Sequence, residues 1–476
     1  MTTVRQTLAA SPAGFGTSGL RGLVGDLSDE VCFAATLGFL RHMRDTGAAS
    51  DGPALFAHDL RPSSPRIARA VAAAIRHAGF EPVFGGEIPT PALALAGFSR
   101  NAPSVMITGS HIPFDRNGIK FHRPQSEISK ADEAPILECE AELPDHLDIR
   151  DLPPFTGAME GGYAARYLAA FPELLKDMRV GLYQHSAVGR DLNAALFGDM
   201  GARVAPLGRS DEFVPIDTEA VSDADQAQAR TWAEQGLDCI VSTDGDGDRP
   251  LLADENGEYF RGDMLGILCA RFLGAEAIVT PVSSNTALEK SGWFERIERT
   301  RIGSPHVIAA MDDLARERDR VAGFEANGGF LTRTPFEVNG ETLAPLPTRD
   351  ALLPVLAAIA LAKRENCRLS ELRALLPNRV TRSDRLVNRP TSASLEYLAD
   401  MDETAEATLL DGLGAVRDVD TTDGRRMTLG DDRIVHLRPS GNAPEFRIYV
   451  EAETADAADE TLAFVKDRLG RILPEG

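Results

Sequence analysis

Residues 103–121 read PSVMITGSHIPFDRNGIKF, and the join inside this stretch decides the fold class. Pro103 to Ile107 is short, apolar and partly β-branched, as a buried strand is. From Thr108 the residues turn polar. Ser110 and His111, followed by Asn117-Gly118 and Lys120, are therefore expected in a loop just past a strand's carboxyl end, where α/β sheets present reactive groups. Taken alone, the loop also fits a surface turn whose serine bonds only locally.

The flanking residues repeat the strand–helix alternation of an α/β unit. Pro53 to His58 (PALFAH) reads as a strand and leads to Asp59 and Arg61. A helix is predicted from Pro65 to about Ala78, with Ser64 as its cap, Ile67, Val71, Ile75 and Ala78 at helical spacing, and Gly79 as its stop. A strand at Glu81–Phe84 and a short helix after Pro91 complete a unit closing near residue 150. Pro153, Pro154 and Gly157 mark a linker. A helix near Tyr163–Leu175 then precedes strands at Arg179–Tyr183, Arg203–Ala205 and Leu237–Ser242, the last running into Thr243-Asp244-Gly245-Asp246-Gly247-Asp248-Arg249. The order recurs with Ala277–Pro281, Arg299–Ile302 and Val321–Gly323, which opens into Phe324-Glu325-Ala326-Asn327-Gly328-Gly329. This is a repeat of organisation with little shared spelling. Beyond Arg379, short strands such as Arg433–His436 and a final helix near Ala455–Leu469 predict a smaller α+β unit. The expected fold class is thus α/β: three similar α/β domains (1–151, 152–264, 265–378) and a smaller C-terminal α+β domain (379–476).

At about 100–200 residues per domain, a chain of 476 residues agrees with that division. A formal charge of -22 argues against nucleic acid or an anionic membrane as partner, so any anionic substrate must be caught by a local cluster of cations. Five cysteines without a C-x-x-C pair indicate neither a disulfide framework nor a zinc site, and fit a reducing cytoplasm. The first residues lack the apolar core of a signal peptide, and the run Ala351–Ala362 is too short to span a membrane.

Four other loops carry chemistry. Gly14–Gly22 (GFGTSGLRG) spells G-x-G-x-x-G, but no apolar strand precedes it, so a dinucleotide site is not expected. A hydroxyl-rich loop ending in Arg21 can instead hold an anion. Asp244, Asp246 and Asp248, separated by glycines, offer three hard carboxylate ligands to a divalent cation, magnesium above all. An EF-hand is excluded, because Arg249 occupies the position that needs glycine and a strand precedes the loop. Glu325 and Asn327 can grip sugar hydroxyls, though they also suit an ordinary turn. In Arg438–Arg447 (RPSGNAPEFR), Arg438 and Arg447 with Ser440, Gly441 and Asn442 offer a phosphate both charge and donors.

The five motifs GFGTSGLRG, TGSHIPFDRNGIK, DGDGDR, GFEANGGF and RPSGNAPEFR, in this order along essentially the whole chain, resemble those of the α-D-phosphohexomutase family. The resemblance implies four domains around a central active-site cleft and reversible transfer of a phosphoryl group between the ends of a hexose phosphate. It makes Ser110 the phosphorylated serine and a fourth magnesium ligand beside Asp244, Asp246 and Asp248. Glu325 and Asn327 become the sugar contacts, and Arg438 to Arg447 the distal phosphate site. Lys120 is the expected general acid/base, its amine tuned by Arg21 and Arg249, with His111 as the alternative. Mg2+ and a hexose 1,6-bisphosphate activator are implied, in a monomer or homodimer. Gly109, Ile112, Asn327, Asn442 and Ala443 depart from the usual family letters, which bears on sugar choice more than on reaction type. Phosphomannomutase activity is the leading expectation; phosphoglucosamine mutase and a noncatalytic sugar-phosphate sensor are the rivals.

Overall fold

The computed structural model describes residues 2–16, 19–440 and 445–473. Four principal sheets follow one another along the chain. The first runs in the order Gly14–Phe15, Gly19–Leu23, Arg116–Arg123, Ser104–Ile107, Pro53–His58, Glu81–Glu87. Its last three strands are parallel and the others antiparallel. Phe56, Val105, Ile107 and Phe121 from the sheet pack against Phe33, Phe39, Ile67 and Val71 of two helices, Asp29–Asp45 and Ser64–His77. The second sheet runs Pro250–Ala253, Cys239–Thr243, Arg179–Tyr183, Arg203–Leu207, and the third Arg296–Thr300, Ala277–Pro281, Val321–Phe324, Phe330–Thr332, Leu346–Asp350. The C-terminal sheet is wholly antiparallel and is covered by helix Ala455–Ile472.

The repeated organisation has a simple geometric content. In each of the first three units a buried strand enters a polar loop and the chain returns antiparallel to it: Ser104–Ile107 with Arg116–Arg123, Cys239–Thr243 with Pro250–Ala253, Val321–Phe324 with Phe330–Thr332. The fourth repeats the device, since Ile434–Pro439 pairs with Glu445–Ala452 across residues 440–444. The motifs that carry Ser110, the three aspartates and Glu325 are therefore tips of hairpins rooted in buried sheets. One apolar cluster, including Leu55, Met106, Tyr163, Leu182, Phe260, Phe324 and Leu356, runs through the first three units, whereas the C-terminal unit has a core of its own. Polar bonds tie it on: Asn285 Nδ2 donates to Thr381 Oγ1 (2.8 Å), and the N–H of Thr286 donates to Glu451 Oε2 (3.0 Å).

Several expectations need correction. Ser64 lies inside its helix and does not cap it; Ser63 occupies the cap position, and Ser64 Oγ donates instead to Asp59 Oδ1 (2.6 Å). The strand expected at Arg299–Ile302 is Arg296–Thr300, in parallel register with Ala277–Pro281. The helix expected near Tyr163–Leu175 is Ala158–Ala170. Helix Gly262–Leu273 runs through the expected division at 264/265. Lys120 sits not in a loop but in the middle of strand Arg116–Arg123, opposite both Met106 and Gly19. That close pairing requires glycine at position 19, where a Cβ would overlap the Ile119 carbonyl. Among the described residues no helix is long and apolar enough to cross a membrane.

Candidate active site

Ser110 is fully buried and takes a left-handed backbone, φ 53°, which a serine adopts only when its surroundings hold it there. The holder is Arg61, itself buried. Its guanidinium donates to the carbonyls of Ser110 (2.9 Å), Ile112 (2.5 Å), Pro113 (2.8 Å) and Arg116 (2.9 Å), so the loop is wrapped round one cation. Arg61 lies 3.3 Å from Asp59, which accepts from Thr108 Oγ1 (2.7 Å); that hydroxyl in turn accepts the N–H of Ser110 (2.7 Å). Phe213 covers the outer face of Arg61 at 4.0 Å.

Across the cleft, Ser110 Oγ donates to Asp244 Oδ2 at 2.6 Å. Asp246 Oδ2 accepts from Lys120 Nζ (2.5 Å) and Thr90 Oγ1 (2.5 Å), and Asp248 Oδ2 from Lys120 (2.7 Å) and Arg349 (2.9 Å). All three aspartates are fully buried, and each offers an oxygen within 4.8 Å of the others'. Asp246 Oδ1 and Asp248 Oδ1 are buried without a hydrogen-bond partner. Buried carboxylate oxygens are costly to leave unpaired, so this donor set fits a hard divalent cation. The charges interact strongly. Burial, with the charges of Asp246 and Asp248, pushes the Asp244 carboxyl up to about 8. Burial also works to raise Asp248, but Arg349, Lys120 and Arg249 together outweigh it and hold that carboxyl well below its usual range.

His111 Nδ1 lies 3.5 Å from Ser110 Oγ but accepts a shorter bond, 2.9 Å, from Arg249 Nη1. Arg249 and burial hold the imidazole neutral, far below its ordinary value. Arg21 is lowered to about 10 by burial and by Arg249 and Arg349, which leaves it charged at neutral pH. Lys120 differs from expectation in its partners: its ammonium is bonded to Asp246 and Asp248 rather than set against Arg21 and Arg249.

Glu325 and Asn327 lie at the hairpin tip of the third unit. Glu325 Oε2 accepts from Arg349 Nη1 (2.9 Å), whereas Asn327 Oδ1 accepts the N–H of Gly329 (3.0 Å) and so serves its own turn. Gly262 abuts this tip so closely that a Cβ there would overlap the Asn327–Gly328 peptide. Arg438 and Arg447 are opposite one another in register on the C-terminal sheet. Arg447 shares a cleft of about 410 Å³ with His111, Arg249, Glu219 and Tyr449, so the fourth hairpin faces the serine loop. Arg438 lies 3.4 Å from Asp423, and the backbone N–H of Ser440 donates to Glu445 O (2.8 Å). Gly441 and Asn442 lie outside the described residues.

Thus the structure gathers Ser110, His111, Lys120, Arg21, Arg249, the three aspartates and Glu325 at one centre, with Arg447 on the facing wall. Sequence reading missed Arg61, Thr90, Arg349 and Glu219. Only Arg61 had a local signal, as one of the polar residues just past the buried strand Pro53–His58.

Comparison with known proteins agrees with this architecture. Sequence models described as phosphoglucomutase/phosphomannomutase alpha/beta/alpha domain I, alpha/beta/alpha domain III and C-terminal domain match residues 12–143, 261–380 and 386–468. A phosphomannomutase of Salmonella muenchen is 46% identical over 96% of this chain and 96% of its own length. A probable phosphoglucosamine mutase of Methanothermobacter thermautotrophicus is 28% identical over 96% of this chain and 99% of its own. A crystal structure of a phosphoglucomutase/phosphomannomutase family protein from Burkholderia thailandensis superposes with a TM-score of 0.74 at 19% identity, over 99% of this chain and 97% of that one. Hairpin tips that bring a serine, three aspartates and Glu325 to one centre, together with these matches along the chain, lead to one conclusion: it belongs to the phosphoglucomutase/phosphomannomutase family of α-D-phosphohexomutases.

Proposed function

We propose that this enzyme is a phosphomannomutase, interconverting mannose 6-phosphate and mannose 1-phosphate through a phosphoserine at Ser110 and a hexose 1,6-bisphosphate. The observation that carries the reaction type is Ser110 Oγ, buried and 2.6 Å from a carboxylate of the three-aspartate loop, with cations on both sides. The choice of mannose rests on 46% identity to a phosphomannomutase against 28% to a probable phosphoglucosamine mutase.

In the forward half-reaction the P–O bond to Ser110 Oγ breaks as a sugar hydroxyl forms the new P–O bond, and the hydroxyl proton ends on Oγ. Lys120, whose Nζ lies between Asp246 and Asp248, is the relay we favour. His111 suits the part less, since its Nδ1 lone pair is engaged by Arg249. It fits better as an orienting group. Asp244, Asp246 and Asp248 with Ser110 Oγ would hold Mg2+, which when bound neutralises charge on the transferring group. Arg21 and Arg249 contribute fixed positive charge beside it. Glu325 engages sugar hydroxyls, and Asn327 does so to the extent that its own turn leaves its amide free. Arg438, Ser440, Gly441, Asn442 and Arg447 take the phosphate that is not reacting. The bisphosphate then turns over, so either end meets the same serine, and a catalytic amount of it starts the cycle by phosphorylating Ser110. Four sheets support a reading as four domains closing on this cleft.

The test is a coupled assay of mannose, glucose and glucosamine 1-phosphates with Mg2+ and trace hexose bisphosphate. Mannose 1-phosphate is expected to give the highest kcat/KM. A higher value for glucosamine 1-phosphate would overturn the assignment, and release of free phosphate in place of isomer would replace mutase by phosphatase.

A further inference from the structure

Of the cations around the aspartate loop, Arg349 binds two loops at once. It lies in strand Leu346–Asp350, which pairs with Phe330–Thr332 and so runs behind the Glu325–Gly329 tip. Its Nη1 donates to Glu325 Oε2 (2.9 Å), while Nε (3.1 Å) and Nη2 (2.9 Å) engage Asp248 Oδ2. The side chain is 4% exposed. Gly329 leaves room for it, since a Cβ there would stand 2.7 Å from Arg349 Cδ. The backbone beneath is pinned in turn: Asp350 accepts from Tyr163 (2.6 Å) and Tyr167, both on helix Ala158–Ala170, and from the N–H of Leu352 (3.0 Å). A guanidinium can hold two carboxylates in fixed directions, which the point charge of a lysine does not reproduce.

We propose that Arg349 is a positioning residue that couples sugar recognition to the metal loop. By occupying Glu325 Oε2 it turns Oε1 toward the hexose. By sharing Asp248 Oδ2 with Lys120 it leaves Asp248 Oδ1 for the cation. The sugar half of this statement rests on the reading of Glu325 as a hydroxyl contact.

The test uses Arg349→Met and Arg349→Lys, with folding checked by near-UV circular dichroism. Mn2+ binding is followed by electron paramagnetic resonance without substrate, and steady-state kinetics with mannose 1-phosphate. Removing a positive charge beside three carboxylates strengthens their attraction for a divalent cation. Arg349→Met is therefore expected to bind Mn2+ more tightly while its KM rises about 10- to 100-fold, as for a lost hydrogen bond to a charged group. Arg349→Lys keeps the charge but not the two-nitrogen hold on Asp248 Oδ2, so it should bind Mn2+ more loosely than the wild type and retain a raised KM. In an Glu325→Ala background, Arg349→Met should change KM by no more than about 2-fold, because it acts through Glu325. Wild-type Mn2+ binding in Arg349→Lys, full multiplication of the Glu325→Ala and Arg349→Met effects, or a wild-type KM in Arg349→Lys would overturn the proposal. Should the wild type fail to turn over mannose 1-phosphate, the proposed function falls, while the Mn2+ titration still decides the Arg349–Asp248 half.

Discussion

His436 provides a quantitative test of how burial acts on the C-terminal unit. The residue lies in strand Ile434–Pro439, 1% exposed, stacked on Tyr449 with ring centroids 5.5 Å apart. Its Nε2 is 2.6 Å from the Asp423 carbonyl, which fixes the proton there, and Nδ1 is buried without a hydrogen-bond partner. Burial above all, with Arg426 and Arg438 nearby, lowers its pKa from 6.5 to about 4. The folded pKa is the depressed one, so between pH 6.5 and 4 the unfolded chain binds a proton that the folded chain does not. Stability from this group is intact above 6.5 and is lost as pH falls toward 4. At about 1.4 kcal/mol per unit, acidification from pH 7 to 5 costs about 2 kcal/mol, or about 30-fold in the opening constant of the C-terminal sheet. Hydrogen exchange of peptides from Arg425–Leu429 and Glu445–Ala452, corrected for intrinsic rates, measures that constant. His436→Gln keeps a donor for the Asp423 carbonyl and has no ionisation in this range. The variant should lose the additional acid sensitivity. If wild type and His436→Gln show the same change in protection between pH 7 and 5, the neutral buried imidazole is not the cause and the reasoning fails.

Two further outcomes are expected. Ser110→Ala removes the proposed phosphoryl acceptor: intact mass should show no phosphate gained from hexose 1,6-bisphosphate, and turnover should fall on the order of 10⁴-fold or more. Retention of either would reassign the nucleophile. Tyr163→Phe deprives buried Asp350 of one of its two tyrosine donors, with an expected loss of about 1–3 kcal/mol. An unchanged thermal midpoint would remove Asp350 from the list of contacts that join the second and third units.

The parts of the site that could be read directly were those whose chemistry lies within one loop. The three aspartates are neighbours in sequence, and one hairpin turn brings their carboxylates together, so spacing alone pointed to a cation site. The position of Ser110 was visible, because a short apolar strand ends just before it, but its role came from the set of five motifs and not from its own loop. Lys120 and Asn117-Gly118 read as part of the polar loop that begins at Thr108. In the fold those residues are already within a strand, recruited by pairing on both sides with Ser104–Ile107 and Gly19–Leu23. Its carboxylate partners come from another sheet, and no local pattern announces them.

Local spelling dictates the alternation of elements, the apolar strand ahead of each polar tip and the chemistry of each tip, because periodicity and turn residues act over a few positions. The tertiary structure alone decided which tips meet. Thr90 bonds Asp246 from 156 positions away, Arg349 reaches Asp248 across 101, and Arg61 holds the Ser110 loop from 49. Those contacts exist because the first three units share one apolar core that fixes their sheets relative to one another. Buried charges are tolerable only where an opposite charge is packed against them, and that pairing belongs to the packed fold.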